Sequence, residues 1–262
     1  MTARQSEENL AADRDASRSA RLRAPSLQEL AAILRAHRLY LETNRKQGTR
    51  ANLSATDLTG RDFSDQLLER IKLDHALLRG ANFASADLRR TNLTGADLRG
   101  ARLSGADLSG ARISGANLDS ANLEGAVLAG ADLEFATMTK ADLRRARLHG
   151  ADMSGVNLDG ADLGAADLRE ANLRGASLRQ ARLERADLRA ARLGGAFLDG
   201  ASLCAADCRG AYLRVARLDG ADLSAADLRD VEGLVHAQLA AALRRVDARL
   251  PPELSGKFND GR

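Results

Sequence analysis

An all-β solenoid is the fold this sequence predicts: a rod in which the chain coils on itself and every coil pairs with the next. The main ground is a period of five that never slips. From position 53 to position 228 every fifth residue is Leu or a close substitute. Thirty of these 36 centres are Leu; the others are Phe63, Phe83, Ile113, Met138, Met153 and Cys208. Ala stands two residues before the centre in 30 of the 36 units, and Gly two residues after it in 17. Composition agrees, since five Phe, two Tyr and no Trp in 262 residues cannot fill a wide globular core.

The other regular structures fail on geometry. In a helix five residues advance about 500°, so leucines spaced by five scatter around the cylinder. In a flat strand an odd spacing sends successive leucines to opposite faces. A chain that turns a corner after every five residues, always in the same sense, puts them all inside. One coil cannot bury its own apolar side chains, so coils must stack. Ala before the centre is small enough for the wall of a narrow tube. Gly after it tolerates the positive φ that a corner needs. Asp or Asn directly before the centre can bond to local backbone.

The units Ala96-Asp97-Leu98-Arg99-Gly100, Ala106-Asp107-Leu108-Ser109-Gly110 and Ala161-Asp162-Leu163 resemble those of pentapeptide repeat proteins, and the match runs from 51 to about 231. The resemblance implies a right-handed, four-sided β-helix with about 20 residues per coil, hence about nine coils here. At about 4.8 Å per coil the rod is roughly 40 Å long.

Four segments follow in order. Residues 1–25 are polar, charged and without sustained period, and read as a disordered tail. Residues 26–50 read as a helix and linker that cap the rod. Ser26 and Glu29 have capping-box spacing, and Leu27, Leu30, Leu34 and Leu41 lie near one face. Residues 51–231 are the β-helix. Its start is its least regular part, with Arg61 and Gln66 in the inward position usually held by Ala. Arg61 must leave the wall there, because a lone buried charge is costly. Leu67 and Leu77 stand where Asp or Asn is usual, and suit cover by the 26–44 helix. Residues 232–262 read as a C-terminal helix cap and tail. Leu239, Leu243, Val246 and Leu250 form its stripe, and Pro251-Pro252 ends it. Some relatives in the resembled family dimerise through such a segment, so a homodimer is a second use for it.

Charge is unevenly placed. Residues 1–50 carry 10 Lys/Arg against 6 Asp/Glu, and residues 51–231 carry 24 against 26, a net of −2. The rod is nearly neutral with both signs interleaved. The chain opens without an apolar stretch of signal-peptide type and has no run of 18 apolar residues, so no membrane span is expected. Cys204 should point outward and Cys208 inward as a small hydrophobe; two free thiols suit a reduced, cytoplasmic setting.

Catalytic constellations are not expected. The four histidines, His37, His75, His149 and His236, are spread along the chain, and Cys204 and Cys208 have no neighbouring His or Cys with zinc spacing. No cofactor or metal is expected. The surface offers more. On the side centred on Leu168, residues 20 apart should stack. Before the centres they read Asp87, Asp107, Val127, Arg147, Asp167, Asp187, Asp207, Asp227. After the last four centres they read Arg169, Arg189, Arg209, Arg229. This pair of ladders is the candidate interaction surface, with a self-compensating solvated face as its plainer reading. The outward apolar groups Phe135, Phe197 and Tyr212 fall on different columns.

The leading functional reading is a non-catalytic scaffold that binds an unidentified protein partner through its rod. The family resemblance implies a second: some members imitate duplex DNA and bind type II topoisomerases such as gyrase. The near-neutral rod and the Arg column argue against it, since a DNA mimic should present dense negative potential. The third is weak nucleic-acid binding through the basic flanks, including Arg14, Arg18, Arg21, Arg23, Arg45, Lys46 and Arg50. No aromatic stacking platform accompanies them.

Overall fold

The computed structural model describes residues 22–255. Its backbone is a β-solenoid with a 20-residue register. Parallel bridges join the residue before each centre to the residue 20 further on, from Asn52↔Lys72 to Tyr212↔Glu232. One coil thus spends four five-residue units, one on each of four faces. Leu128 shows the bonding. Its N–H donates to the Arg147 carbonyl at 2.7 Å, Gly130 N–H donates to His149 at 3.0 Å, and Ala131 N–H closes the corner on Leu128 at 3.0 Å. Pairing comes as isolated bridges because corners interrupt the chain before longer strands can form.

The corner explains the glycines. The residue two after each centre has φ between 49° and 68° in all 36 units, whether or not it is Gly. Left-handed φ strains any residue with a Cβ, so Gly is favoured there without being obligatory. Inside, the centres and the preceding Ala residues are almost wholly buried, and one continuous core runs from Leu30 to Leu254. Phe63 and Phe83, on successive coils, stack with ring centroids 4.9 Å apart.

At the N-terminal end, α1 (Leu27–Glu42) begins with a full capping box between Ser26 and Glu29. Leu30 and His37 are its buried residues, and Ile33 and Leu34 pack against the core. The His37 Nδ1 accepts the Ala51 N–H at 3.2 Å, which ties α1 to the first repeat. Arg61 is half-buried and turns its guanidinium outward onto the Pro25 carbonyl at 3.1 Å. Leu77 is fully buried, but Leu67 stays 44% exposed, so the expected cover does not extend to it. Instead α1 engages the core end through Leu30 and His37. The tail predicted over residues 1–25 lies outside the described residues as far as 21. Of the remainder, Arg23 pairs in parallel with Thr56.

The C-terminal end differs from the single helix that the stripe suggested. Among the described residues there, only α2 (His236–Ala241) and α3 (Pro252–Ser255) are helical. Of the four stripe residues only Leu239 lies on a helix, where it is fully buried; Leu243 and Val246 are 69% and 63% exposed, and Leu250 is partly buried. Between the helices the chain returns to the solenoid, pairing Arg244 with Asp222 and Arg249 with Asp227. The reason is the open edge of the last coil, whose N–H groups need acceptors. Leu223 and Leu228 donate to the carbonyls of Arg244 and Arg249 at 2.9 and 2.8 Å. The triplet Ala248-Arg249-Leu250 is itself a repeat unit, displaced two residues from the strict phase. Gln238 completes the closure by donating from its Nε2 to the carbonyls of Leu213 and Ala216 at 2.9 and 2.8 Å.

Candidate interaction surface

The two charged ladders stand side by side as their register requires, with Asp167↔Asp187 and Asp187↔Asp207↔Asp227 in bridge contact. Each Asp first serves the backbone. The Oδ1 of Asp167 accepts the Arg169 N–H at 3.2 Å, and Asp187, Asp207 and Asp227 do the same for Arg189, Arg209 and Arg229. The Arg two residues on then folds back as a two-pronged fork. In the first unit Arg169 Nε donates to Asp167 Oδ1 at 2.8 Å and Nη2 to Oδ2 at 2.7 Å. Arg189, Arg209 and Arg229 repeat this with Nη2 contacts of 2.6 Å.

A second contact links the coils. Arg169 Nε lies 3.6 Å from Asp187, Arg189 Nε 3.7 Å from Asp207, and Arg209 Nε 3.9 Å from Asp227. The carboxylates therefore alternate with guanidiniums along the rod, which offsets repulsion within the Asp column. Hydrogen bonds from the adjacent Arg, against a smaller opposing effect of burial, hold the carboxyls of Asp167, Asp207 and Asp227 below the usual carboxylate range. The same fork recurs on another face at Asp97, which is only 5% exposed. Burial alone would raise its pKa, but Arg99 and Arg79 outweigh that and hold it low.

Other sequence-derived candidates are placed apart. The ring of Phe135, 70% exposed, lies over the next coil, where a Cβ on Gly155 would come within 2.6 Å of it. Phe197 lies under Arg179, whose guanidinium carbon is 4.4 Å from the ring centroid. Burial, followed by the Asp207, Asp227 and Asp187 charges, pushes the Cys208 thiol up to about 12. On the next coil the Ser224 hydroxyl is the main influence holding the Asp222 carboxyl below the usual range, with a smaller contribution from the Cys204 thiol. Cys204 also borders an open, shallow depression of about 520 Å³, with Arg144, Arg182, Asp162 and Glu184 interleaving both signs around it. Among the described residues no three His, Cys, Asp or Glu side chains gather as a metal site, and no helix is long and apolar enough to cross a membrane.

A five-residue repeat wound into a 20-residue coil, with aliphatic centres inside and charged forks outside, defines the class as a repeat solenoid. The chain belongs to the pentapeptide repeat family. The family's model, described as pentapeptide repeats, matches in eight copies over segments between residues 67 and 232. Among solved structures the chain is similar to HetL, a pentapeptide repeat protein involved in heterocyst differentiation regulation in the cyanobacterium Nostoc sp. strain PCC 7120. Identity is 35% over 79% of this chain and 94% of HetL, with a TM-score of 0.62. A pentapeptide repeat protein of the Arabidopsis thaliana thylakoid lumen is 41% identical over 41% of this chain and 69% of its own, with a TM-score of 0.30. QnrB1, a plasmid-mediated fluoroquinolone resistance protein, is 19% identical over 79% of this chain and 95% of its own, with a TM-score of 0.37. No curated protein matches the chain.

Proposed function

We propose that the protein is a non-catalytic scaffold that presents the flat sides of a right-handed, four-sided rod of about nine coils to a protein partner. One observation carries this reading. The interior is filled by the aliphatic centres and their alanines, so nearly every group able to recognise a ligand stands on the outside of a rigid, preformed surface. The likeness to HetL, a protein involved in regulation, supports a binding role. The Asp167–Asp227 and Arg169–Arg229 ladders are one candidate contact face. The segment with Leu239, Leu243, Val246 and Leu250 is read as a cap, with exposed Leu243 and Val246 available to a second copy.

Imitation of DNA toward a type II topoisomerase is less favoured, because Asp167, Asp187, Asp207 and Asp227, the candidate acidic stripe, are each already held by an Arg. Weak nucleic-acid binding through the basic flanks has no structural feature in its favour among the described residues, which exclude Arg14, Arg18 and Arg21. The test is photo-crosslinking of the full chain in its source cells, from single positions on each of the four faces. A discrete crosslinked protein on one face is the expected result. Absence of any discrete product on all four faces would overturn the scaffold reading.

A further inference from the structure

Elsewhere on the rod the triplet of Asp, a buried centre and Arg neutralises itself. The units at 87–89, 97–99, 142–144, 167–169, 187–189, 207–209 and 227–229 all fold the Arg onto its own Asp. One face holds no such unit, and over its last coils it carries arginines without an adjoining Asp. The units there read Asn172-Leu173-Arg174, Arg192-Leu193-Gly194 and Tyr212-Leu213-Arg214. Asn stands before Arg174 and Tyr before Arg214, and Arg192 itself occupies the position that Asp holds in the self-neutralising units. Among the described residues these three guanidiniums form no ion pair. The column runs Asp132↔Asp152↔Asn172↔Arg192↔Tyr212↔Glu232, so this face changes from acidic at mid-rod to basic near the C-terminal end.

The relief of the surface changes at the same place. Gly194 and Gly195 leave a gap in the side-chain column between Arg174 and Arg214, whose backbones stand two coils, or about 10 Å, apart. The Tyr212 ring leans across that gap, where a Cβ on Gly194 would meet its Cε1 at 3.1 Å. Two adjoining open depressions result, of about 440 and 250 Å³, and Tyr212 and Arg174 line both.

Val215, at the rim of the smaller depression, is a third irregularity. It is 73% exposed and has φ 52° at a corner where 17 other units place Gly. A β-branched side chain in left-handed φ is strained, and its exposure gains the fold nothing in return. Val235 on the following turn is also half-exposed. Tyr and Arg grouped around a shallow recess with aliphatic neighbours form the composition of a binding hot spot.

We propose that this face, through Arg174, Arg192, Arg214, Tyr212 and Val215, binds an extended acidic segment of a protein partner. Two of the partner's carboxylates pair with the guanidiniums, and an aliphatic side chain lies against Tyr212 and Val215. The proposal rests on the scaffold reading and names its surface and the chemistry of its partner. Charge complementarity supports an acidic ligand. A nucleic acid fits less well, since Tyr212 is the one ring open to stacking here while Phe197 is covered by Arg179. Glu232 at the rim and Asp132 and Asp152 further along also oppose a continuous phosphate backbone.

The test is fluorescence anisotropy on the full chain at low ionic strength, using a fluorescein-labelled peptide of alternating Glu and Leu. Saturable binding is expected. The double variant Arg174→Ala/Arg214→Ala should weaken it at least about tenfold, and Tyr212→Ala by about tenfold. Arg112→Ala, an arginine without an ion pair three coils before Asn172 on the same face, should leave it unchanged. Val215→Gly should raise the Tm while weakening binding, a split that a merely structural residue would not show. Equal affinity across the variants, lack of saturable binding, or tighter binding of a ten-nucleotide oligo-dT would each overturn the proposal. A partner crosslinked from another face, with no peptide bound here, would refute this site and leave the scaffold reading standing.

Discussion

Each residue's role is set by its place in the five-residue unit, and the outward places show the same economy as the inward ones. Asp before the centre accepts the N–H two residues on and then holds the Arg that follows, so one carboxylate serves corner and surface together. The inward positions have no such flexibility. Leu128 is fully buried at mid-rod between coils that offer it neither water nor a polar partner. Leu128→Asp should cost more than about 4 kcal/mol and abolish the cooperative melt, because the carboxylate must be desolvated without a partner. An unchanged melting curve by circular dichroism would refute the inward assignment. These inward residues were legible in the sequence, because alternation of Ala and Leu about a corner has only one apolar side. The fork itself was not legible. The sequence put Asp and Arg in neighbouring columns, but whether an Arg turns to its own Asp or to the next coil is a choice among rotamers.

Among the elements, α1 and the C-terminal segment show how the ends are closed. The capping box and the apolar stripe of α1 were readable, because they rest on spacing within one helix. The role of His37 was not, because its partner Ala51 lies beyond the helix. Desolvation lowers the His37 pKa from its ordinary 6.5; the nearby Arg50 charge adds to that, while the Glu69 carbonyl and carboxylate oppose it. The sign follows from the depressed folded value. Above about pH 6.5 both states are neutral and the contribution is complete. As pH falls below that, the unfolded chain takes a proton that the folded one resists, and stability is lost. The Tm of the native protein should therefore fall between about pH 7.5 and about pH 5.5 by more than that of His37→Gln. Parallel curves for the two proteins would show that His37 contributes nothing to the pH dependence. At the other end, the predicted helix gave way to a return of the solenoid. The unit Ala248-Arg249-Leu250 was visible in principle, but α2 shifts it by two residues and so hides it from a strict period.

On the scale of the whole molecule, the rod is a stack whose stability comes from contacts between neighbouring coils, which makes its ends the vulnerable points. Leu234, Leu239, Ala242 and Leu254 are all buried over the last coil. Removal of residues 232–262 would uncover that coil and its unpaired N–H groups, and the shortened protein should self-associate. Light scattering checks this, and a monodisperse monomer at the concentration of the intact protein would refute the capping role. The sequence by itself determined the coiled path, the inward set and the near-neutral charge of the rod, while the 20-residue register followed from its resemblance to pentapeptide repeat proteins. Each of these is repeated in every unit, so neighbouring copies enforce one another. Only the tertiary structure decided which arginines are neutralised, how Arg61 escapes the wall, where the C-terminal chain rejoins the sheet, and that Arg174, Arg192 and Arg214 meet around Tyr212. Those outcomes depend on residues a coil or more apart and on ends that occur once, where no period exists to reveal them.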